Sequence, residues 1–446
     1  MLTPDDITGQ QQLLIDRMYE DNTLVIAQAG AGKTVCAQTA AQELITDGVL
    51  ERVIIFAPLK VCDLTWATEH EGWSHLWPTE MATGPAPQRT HICRDGGRIV
   101  VMNLDNLAWF CKQGLHEYFD GLIIDEGSKL KDPGGAAFKA LRHKLDHFKW
   151  RICMSATPVH EAQTDIYTQA FIVDGGVALG RNQERFKTKY FTPIDYERRK
   201  WEFMPTMEAK LAADIAHLVF VMDTDDYERD LPQLEDVIIP VEMPQQSWDA
   251  YDAMCATLVS DMDGHEITAA NLAVRQGKLQ QLTCGAVYNM EGDQVWMHEA
   301  KFEALGELLD GHPEPFVIVY QFLYELDRLR REYPQARVLG DDPEGVQAAW
   351  NAGECDLLLV HPKSASHGLN IQYGGCRLVW LSPVWSADQW DQTVRRLRRR
   401  GQPSDTVWRY TLMVENSVER LILERHTTKM DNASSFIEHI KKRARA

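Results

Sequence analysis

Unbroken apolar runs recur along the first third of the chain. They are LVIAQ (Leu24–Gln28), RVIIFA from Arg52, RIVVM from Arg98, GLIID from Gly121 and RICMS from Arg151. A strand with one wet face alternates apolar and polar residues. Continuous runs instead predict strands buried on both faces. The stretch between the first two runs, Lys33 to Thr46, has helical spacing and meets a stop at Asp47-Gly48. Strand and helix in alternation predict a parallel sheet with helices on both sides. The pattern lapses near Val159. From there to about Pro232 the chain is rich in charge and aromatics and reads as a mainly helical insertion. EDVIIPVEM (Glu235–Met243) reads as a strand, and the helical stretch after it includes NLAVRQGKLQQLTCGAVY. Alternation then resumes with FVIVY from Phe316, DLLLV from Asp356, RLVWL from Arg377 and TVWRYTL from Thr406. Helices are predicted over Gln321–Glu332 and Ala387–Arg399. The expected division is an ATP-binding lobe over 1–165, a helical insertion over 166–235, a linker with a helical segment over 236–300, and a second α/β lobe over 301–446.

With 446 residues the chain has room for two or three domains, and its 44% apolar and 25% charged content is ordinary for a globular protein. No apolar run is long enough for a membrane span, and MLTPDDITGQQQ lacks the layout of a signal peptide. A cytoplasmic protein with no membrane partner is expected. Nine cysteines stand singly without a CxxC pair, and fifteen histidines form no HExxH. They read as buried reduced thiols, with no zinc site. The net charge of −19 excludes a protein that coats nucleic acid by bulk attraction. A narrow basic track is still open to it. RRLRRRGQ (Arg395–Gln402) is one basic cluster, and the tail KKRARA from Lys441 reads as a solvated terminus.

Four segments carry candidate chemistry. AQAGAGKT (Ala27–Thr34) lies between a predicted strand and a predicted helix, as a phosphate-binding loop does. Gly30 and Gly32, with Ala31 between them, let backbone N–H groups approach phosphates at a helix N-terminus. Lys33 would reach the β- and γ-phosphates of ATP, and the Thr34 hydroxyl would ligate Mg²⁺. Asp125 and Glu126 end the run GLIID. A carboxylate at a strand tip can hold Mg²⁺, and its neighbour can activate water. Ser155 and Thr157, in SATP after RICMS, could link those carboxylates to a nucleic-acid face, although a plain turn would look the same. Arg396 and Arg399 are three apart, and on a helix they would share a face. They would serve as arginine fingers toward a transferring phosphate, or that face would simply meet DNA phosphates.

In this order the runs resemble the superfamily 2 helicases, and specifically their Swi/Snf branch, closest to its short phage-type members. APLKVCDLTWATEHEGW (Ala57–Trp73) is similar to that branch's second motif through Trp66, Glu69 and Trp73, and NLDNLAWF from Asn103 to its strand-edge element. LPQLEDVIIPVEMPQQSWDAYDAM (Leu231–Met254) resembles the segment entering the second lobe. HPKSASHGLNIQYGG (His361–Gly375), which holds Gly368 and Asn370, resembles the fifth motif, and RRLRRRGQ the last, with Arg396, Arg399, Gly401 and Gln402 aligned. The resemblance implies two RecA-like parallel-sheet lobes with a mainly helical insertion between them. It also implies Gln11 and Gln402 as nucleotide contacts, Gly368 beside the nucleotide, and Asn370 in coupling. Two departures stand out: DEGS where DEGH is usual, and FVMDTDDY (Phe220–Tyr227) where many relatives carry a basic cluster.

The implied activity is DNA-stimulated ATP hydrolysis, with ATP and Mg²⁺ as ligands and duplex or branched DNA as partner. The setting would be phage or bacterial replication, repair or recombination. The alternatives are an RNA helicase, or an ATP-switched regulator of a protein partner, which the acidic balance would suit. No strand-separating hairpin is legible in these residues.

Overall fold

The computed structural model describes all residues except 29, 157–162, 198–199, 223–230, 263–268, 290, 366–369 and 429–446. The chain forms two compact units, one within Met1–Glu228 and one within Arg229–Thr428.

Nine strands lie in the first unit: β1 (Thr23–Ile26), β2 (Val53–Ala57), β3 (Glu80–Met81), β4 (Ile99–Asn103), β5 (Gly121–Ile124), β6 (Trp150–Ser155), β7 (Phe191–Pro193), β8 (Trp201–Phe203) and β9 (Val219–Val221). Seven of them form a sheet in the order β3-β4-β2-β5-β6-β1-β9, with every pairing parallel. Successive side chains point to opposite faces of a strand. Leu24, Ile54, Phe56, Val100 and Leu122 accordingly enter one core, and Val25, Ile55, Val101, Ile123 and Ile152 the other. Helices α1 (Gly9–Glu20) and α2 (Lys33–Thr46) cover the second face through Leu14, Ile15, Met18, Val35 and Ala40. The helix Asp165–Asp174 covers the first face through Ile166, Tyr167, Ala170 and Val173. The charge-rich stretch read as an insertion is mainly helical, but it also contains the β7–β8 hairpin and ends in β9, which pairs with β1. Strands this short fall below what an apolar run can signal.

The second unit holds β10 (Gln233–Val241), β11 (Ala286–Tyr288), β12 (Gln294–Trp296), β13 (Phe316–Val319), β14 (Arg337–Val338), β15 (Leu357–Val360), β16 (Arg377–Trp380) and β17 (Thr406–Val414). Its six-stranded sheet runs β10-β17-β16-β13-β15-β14 and is again wholly parallel. Val241, Phe316, Ile318, Leu359, Val379 and Leu412 share its core. The fold class is therefore as expected from sequence: two parallel α/β sheets with helices around them.

One expected element is shorter than its pattern. The helix predicted over Ala387–Arg399 stops at Val394, and the arginine run continues as turns. The amides of Arg396 and Leu397 bond to the carbonyls of Thr393 and Val394, three residues back, and Gly401 takes a φ of +85°. Arg396 thus lies in the turn that follows the helix and Arg399 in a bend beyond it.

A buried polar network braces this unit. Lys301 is 1% exposed and Glu419 fully buried. The Lys301 ammonium donates to Glu419 Oε1 at 2.5 Å and to the Leu381 carbonyl at 2.6 Å. Thr283 donates to Oε1 and the Val414 amide to Oε2 of the same carboxylate. Gln280 reaches the Pro383 carbonyl, so the loop after β16, which leads into the arginine segment, is held from beneath. Removing one partner of such a pair strands a charge. Lys301→Met is expected to cost about 3–5 kcal/mol in urea unfolding, and adding Glu419→Leu to recover part of it.

Candidate nucleotide site and arginine segment

Parallel strands bring their carboxyl ends to one edge of a sheet, and ligands of open α/β folds bind along that edge. In the first unit the neighbours β2, β5, β6 and β1 deliver, side by side, the Cys62–Trp66 turn, Asp125-Glu126, Ser155 and the loop Ala27–Gly32.

That loop is shaped for close approach. Gly30 and Gly32 have φ of +85° and +84°, a region that costs glycine nothing. Gly32 caps α2, whose first residues are Lys33 and Thr34, the latter half-buried. A Cβ on Gly32 would come within 2.1 Å of Gln11 Nε2, so loop and Gln11 are fitted together. Gln11 Nε2 donates to the Ala31 carbonyl at 3.3 Å, and its Oε1 accepts from the Thr8 amide at 2.9 Å. Gln11 therefore stands at the loop and caps α1 at once. The Lys33 ammonium donates to the Ala27 and Gln28 carbonyls, at 2.6 and 3.0 Å. These are neutral acceptors, which an anionic phosphate oxygen outcompetes.

Asp125 is buried, and both its oxygens are already bonded. The Trp66 indole N–H donates to Oδ2 at 3.0 Å and the Glu126 amide to Oδ1 at 3.0 Å. Burial pushes its carboxyl pKa up. The charge of Lys33 and these two hydrogen bonds oppose that shift. Trp66 itself is fully buried and closes a π-helical turn, Cys62–Trp66. Such turns are rare and concentrate at functional sites. Glu126 has a φ of +56°, strained for a residue with a Cβ. Strain of this kind is tolerated where the surroundings fix the geometry. Gly127 must be small, because a Cβ there would lie 2.3 Å from Cys153 Sγ. Ser155 is fully buried at the end of β6, and its Oγ has no hydrogen-bond partner among the described residues. Thr157 lies outside the described residues. The glycine cradle, the ammonium and the adjoining carboxylate fit a nucleoside triphosphate with Mg²⁺. No cluster of three or more His, Cys, Asp or Glu side chains that could hold a metal occurs among the described residues.

In the second unit the arginine run divides its tasks. Arg395 pairs with Asp391 at 2.5 Å, Arg398 donates to the Pro232 carbonyl at 2.8 Å, and Arg396 is buried. Arg399 donates to Asn370 Oδ1. The Asn370 backbone is in turn held by Gln347 and Asn351. The structure thus brings Arg399 and Asn370 together. Gln402 donates its amide to the Gly375 and Leu397 carbonyls, at 3.0 and 3.1 Å, so it stands as a brace of its own loop. Gly368 lies outside the described residues. The Trp66–Asp125 bond was not foreseen, because 59 positions separate the two residues and only adjacency of β2 and β5 joins them.

Residues 8–166 match the DEAD/DEAH box helicase family. That match lies within the first unit and spans its candidate nucleotide site. It is 29% identical to putative protein p41 of Acyrthosiphon pisum secondary endosymbiont phage 1, over 97% of this chain and 98% of that one. It is 20% identical to chromodomain-helicase-DNA-binding protein 7 of Gallus gallus, over 99% of this chain but 16% of that much longer protein. Among solved structures, the Sulfolobus solfataricus SWI2/SNF2 ATPase core in complex with dsDNA aligns over 96% of this chain and 93% of that one, at 17% identity and a TM-score of 0.45.

Trp66→Phe keeps the ring and removes the donor to Asp125. Its expected cost is roughly 1–3 kcal/mol, read as a lower urea midpoint. An unchanged midpoint would show that the bond contributes nothing to the fold.

Proposed function

We propose that this chain hydrolyses ATP under the control of DNA and uses each cycle to move along duplex or branched DNA. The observation that carries the reading is the glycine cradle with Lys33 at the end of β1, one strand removed from the buried, doubly bonded Asp125 at the end of β5. The helicase family and the named DNA-binding relative support DNA as the partner. The phage relative supports a phage or bacterial cytoplasm as the setting, and a protein partner for targeting completes the reading.

In this reading the loop amides and Lys33 bind the phosphates, and Gln11 stands beside the nucleotide. Thr34 and Asp125 would hold Mg²⁺, which when bound neutralises phosphate charge. Glu126 takes the proton of the attacking water. Arg396 and Arg399 stabilise charge on the transferring phosphate. Arg399 leaves a neutral acceptor, Asn370, to do so. Ser155, Thr157 and Asn370 pass the state of the site to the nucleic-acid face.

ATP turnover is expected to rise when duplex DNA is added. Failure of any nucleic acid to stimulate it overturns the reading, and stimulation by RNA alone converts it to an RNA motor. Lys33→Ala should abolish nucleotide binding. Glu126→Gln should keep binding and lower turnover by roughly 10²–10⁴. Arg399→Ala should lower turnover by roughly 10³ or more at nearly constant ATP affinity. A large loss of affinity instead would refute its transition-state role.

A further inference from the structure

Helix α2 buries three polar side chains, Gln38, Thr39 and Gln42. Buried polar groups need partners, and all three find theirs in one short segment, His75–Trp77. Gln38 Nε2 donates to the Trp77 carbonyl at 2.6 Å and Gln42 Nε2 to the His75 carbonyl at 3.0 Å. Gln42 Oε1 accepts from the Trp77 amide at 2.5 Å, and Thr39 Oγ1 lies 2.9 Å from His75 Nε2. Two residues beyond Trp77, the Thr79 hydroxyl donates to the Trp66 carbonyl at 2.8 Å. Strand β3 follows at once and pairs with β4. The segment is thus tied to α2 at one end and to the Cys62–Trp66 turn at the other.

That turn is itself closed. The Ala67 amide bonds to the Cys62 carbonyl at 3.0 Å, five residues back, and Cys62 Sγ donates to the Ala57 carbonyl at 3.3 Å. From it the fully buried Trp66 indole reaches Asp125 Oδ2 at 3.0 Å. A hydrogen-bonded strap therefore runs from α2, which begins with Lys33 and Thr34, through His75–Thr79 and Trp66 to Asp125. The sheet gives no such direct tie, because β6 stands between β1 and β5.

Magnesium accepts only near-octahedral ligands at about 2.0–2.1 Å, and the partners behind a metal-binding carboxylate orient it for the ion. We propose that Trp66 is a positioning residue for magnesium: with the strap, it fixes Asp125 relative to the start of α2, so that Asp125 and Thr34 serve one ion. The assignment rests on the proposed nucleotide reading of those two residues. It adds a segment outside the phosphate loop that sets how well the ion is held.

The test measures the affinity of the full chain for a fluorescent non-hydrolysable ATP analogue, once with millimolar Mg²⁺ and once in EDTA. The ratio of the two is the gain due to the ion. In Trp66→Phe that gain should fall roughly 10- to 100-fold, while the affinity in EDTA matches the wild type. Thr79→Val keeps the indole donor and removes the support behind it, so its gain should fall in the same direction by a smaller factor. An unchanged gain in Trp66→Phe overturns the assignment and leaves the nucleotide reading standing. Where that variant does not fold, an unchanged gain in Thr79→Val decides the same way. An equal loss of affinity with and without the ion also overturns it, because the strap would then act on the phosphate loop. A wild-type chain that gains nothing from Mg²⁺ overturns both.

Discussion

A parallel sheet buried on both faces can expose its backbone only at the strand ends, and this constraint places the whole candidate site. In the first unit, Leu24 and Val25 are both fully buried although they point to opposite sides. No polar chemistry can stand on either face without a large desolvation penalty. Every strand of the seven-stranded sheet points the same way, so its loop–helix junctions collect on one edge. The order β2-β5-β6-β1 then decides which chemistry meets which. The phosphate loop follows β1, the carboxylates follow β5, and β6 with Ser155 lies between them. Segments more than ninety positions apart become neighbours because of pairing alone.

The geometry of Asp125 is fixed by three devices that act together. Burial restricts its rotation, the Trp66 indole holds one oxygen, and the backbone of Glu126 holds the other. The last bond is made where Glu126 adopts a left-handed conformation. The strain at Glu126 and the orientation of Asp125 are therefore parts of one turn. Trp66 adds a link to the end of β2, so a displacement of the Cys62–Trp66 turn would be felt at the carboxylate. This is how a segment far from the phosphate loop in sequence comes to act on its charge balance.

The sequence was most readable where one kind of signal sufficed. Unbroken apolar runs gave the central strands of both sheets, since a strand buried on two faces has no polar position to interrupt it. Helix α2 matched its predicted span because glycines frame it at both ends. Reading failed where tertiary contacts overrode local pattern. The arginine run kept helical spacing, yet the helix ends at Val394, where the amides of Arg396 and Leu397 turn to carbonyls three residues back. The short strands β3, β9 and β14 are completed by neighbours and carry no periodicity of their own. The pairing of Lys301 with Glu419 carries no local signal, because 118 positions separate the two residues and only the fold joins them. Of the candidate site, the phosphate loop and both carboxylates were legible as spacing. The hydrogen bonds of Trp66 and the braced state of Gln402 were not, because each depends on a partner brought in by folding.

The acidic balance of the chain bears on where nucleic acid could touch it. Screening at physiological salt confines charge effects to about 8 Å, so a phosphate senses its nearest side chains and little of a distant net charge. Under that condition a net charge of −19 does not cancel a local basic run. It makes the rest of the surface repellent. Two basic stretches, the helix leading to the β7–β8 hairpin and the turns after Val394, differ in how they hold their cations. Arg395 and Arg398 in the second stretch are bound within their own unit, and Arg399 is held by an asparagine oxygen. In the first stretch Arg185 stands at the surface and Lys189 pairs with Asp214. Cations bonded into turns are held in one geometry, whereas exposed side chains keep their rotamer freedom.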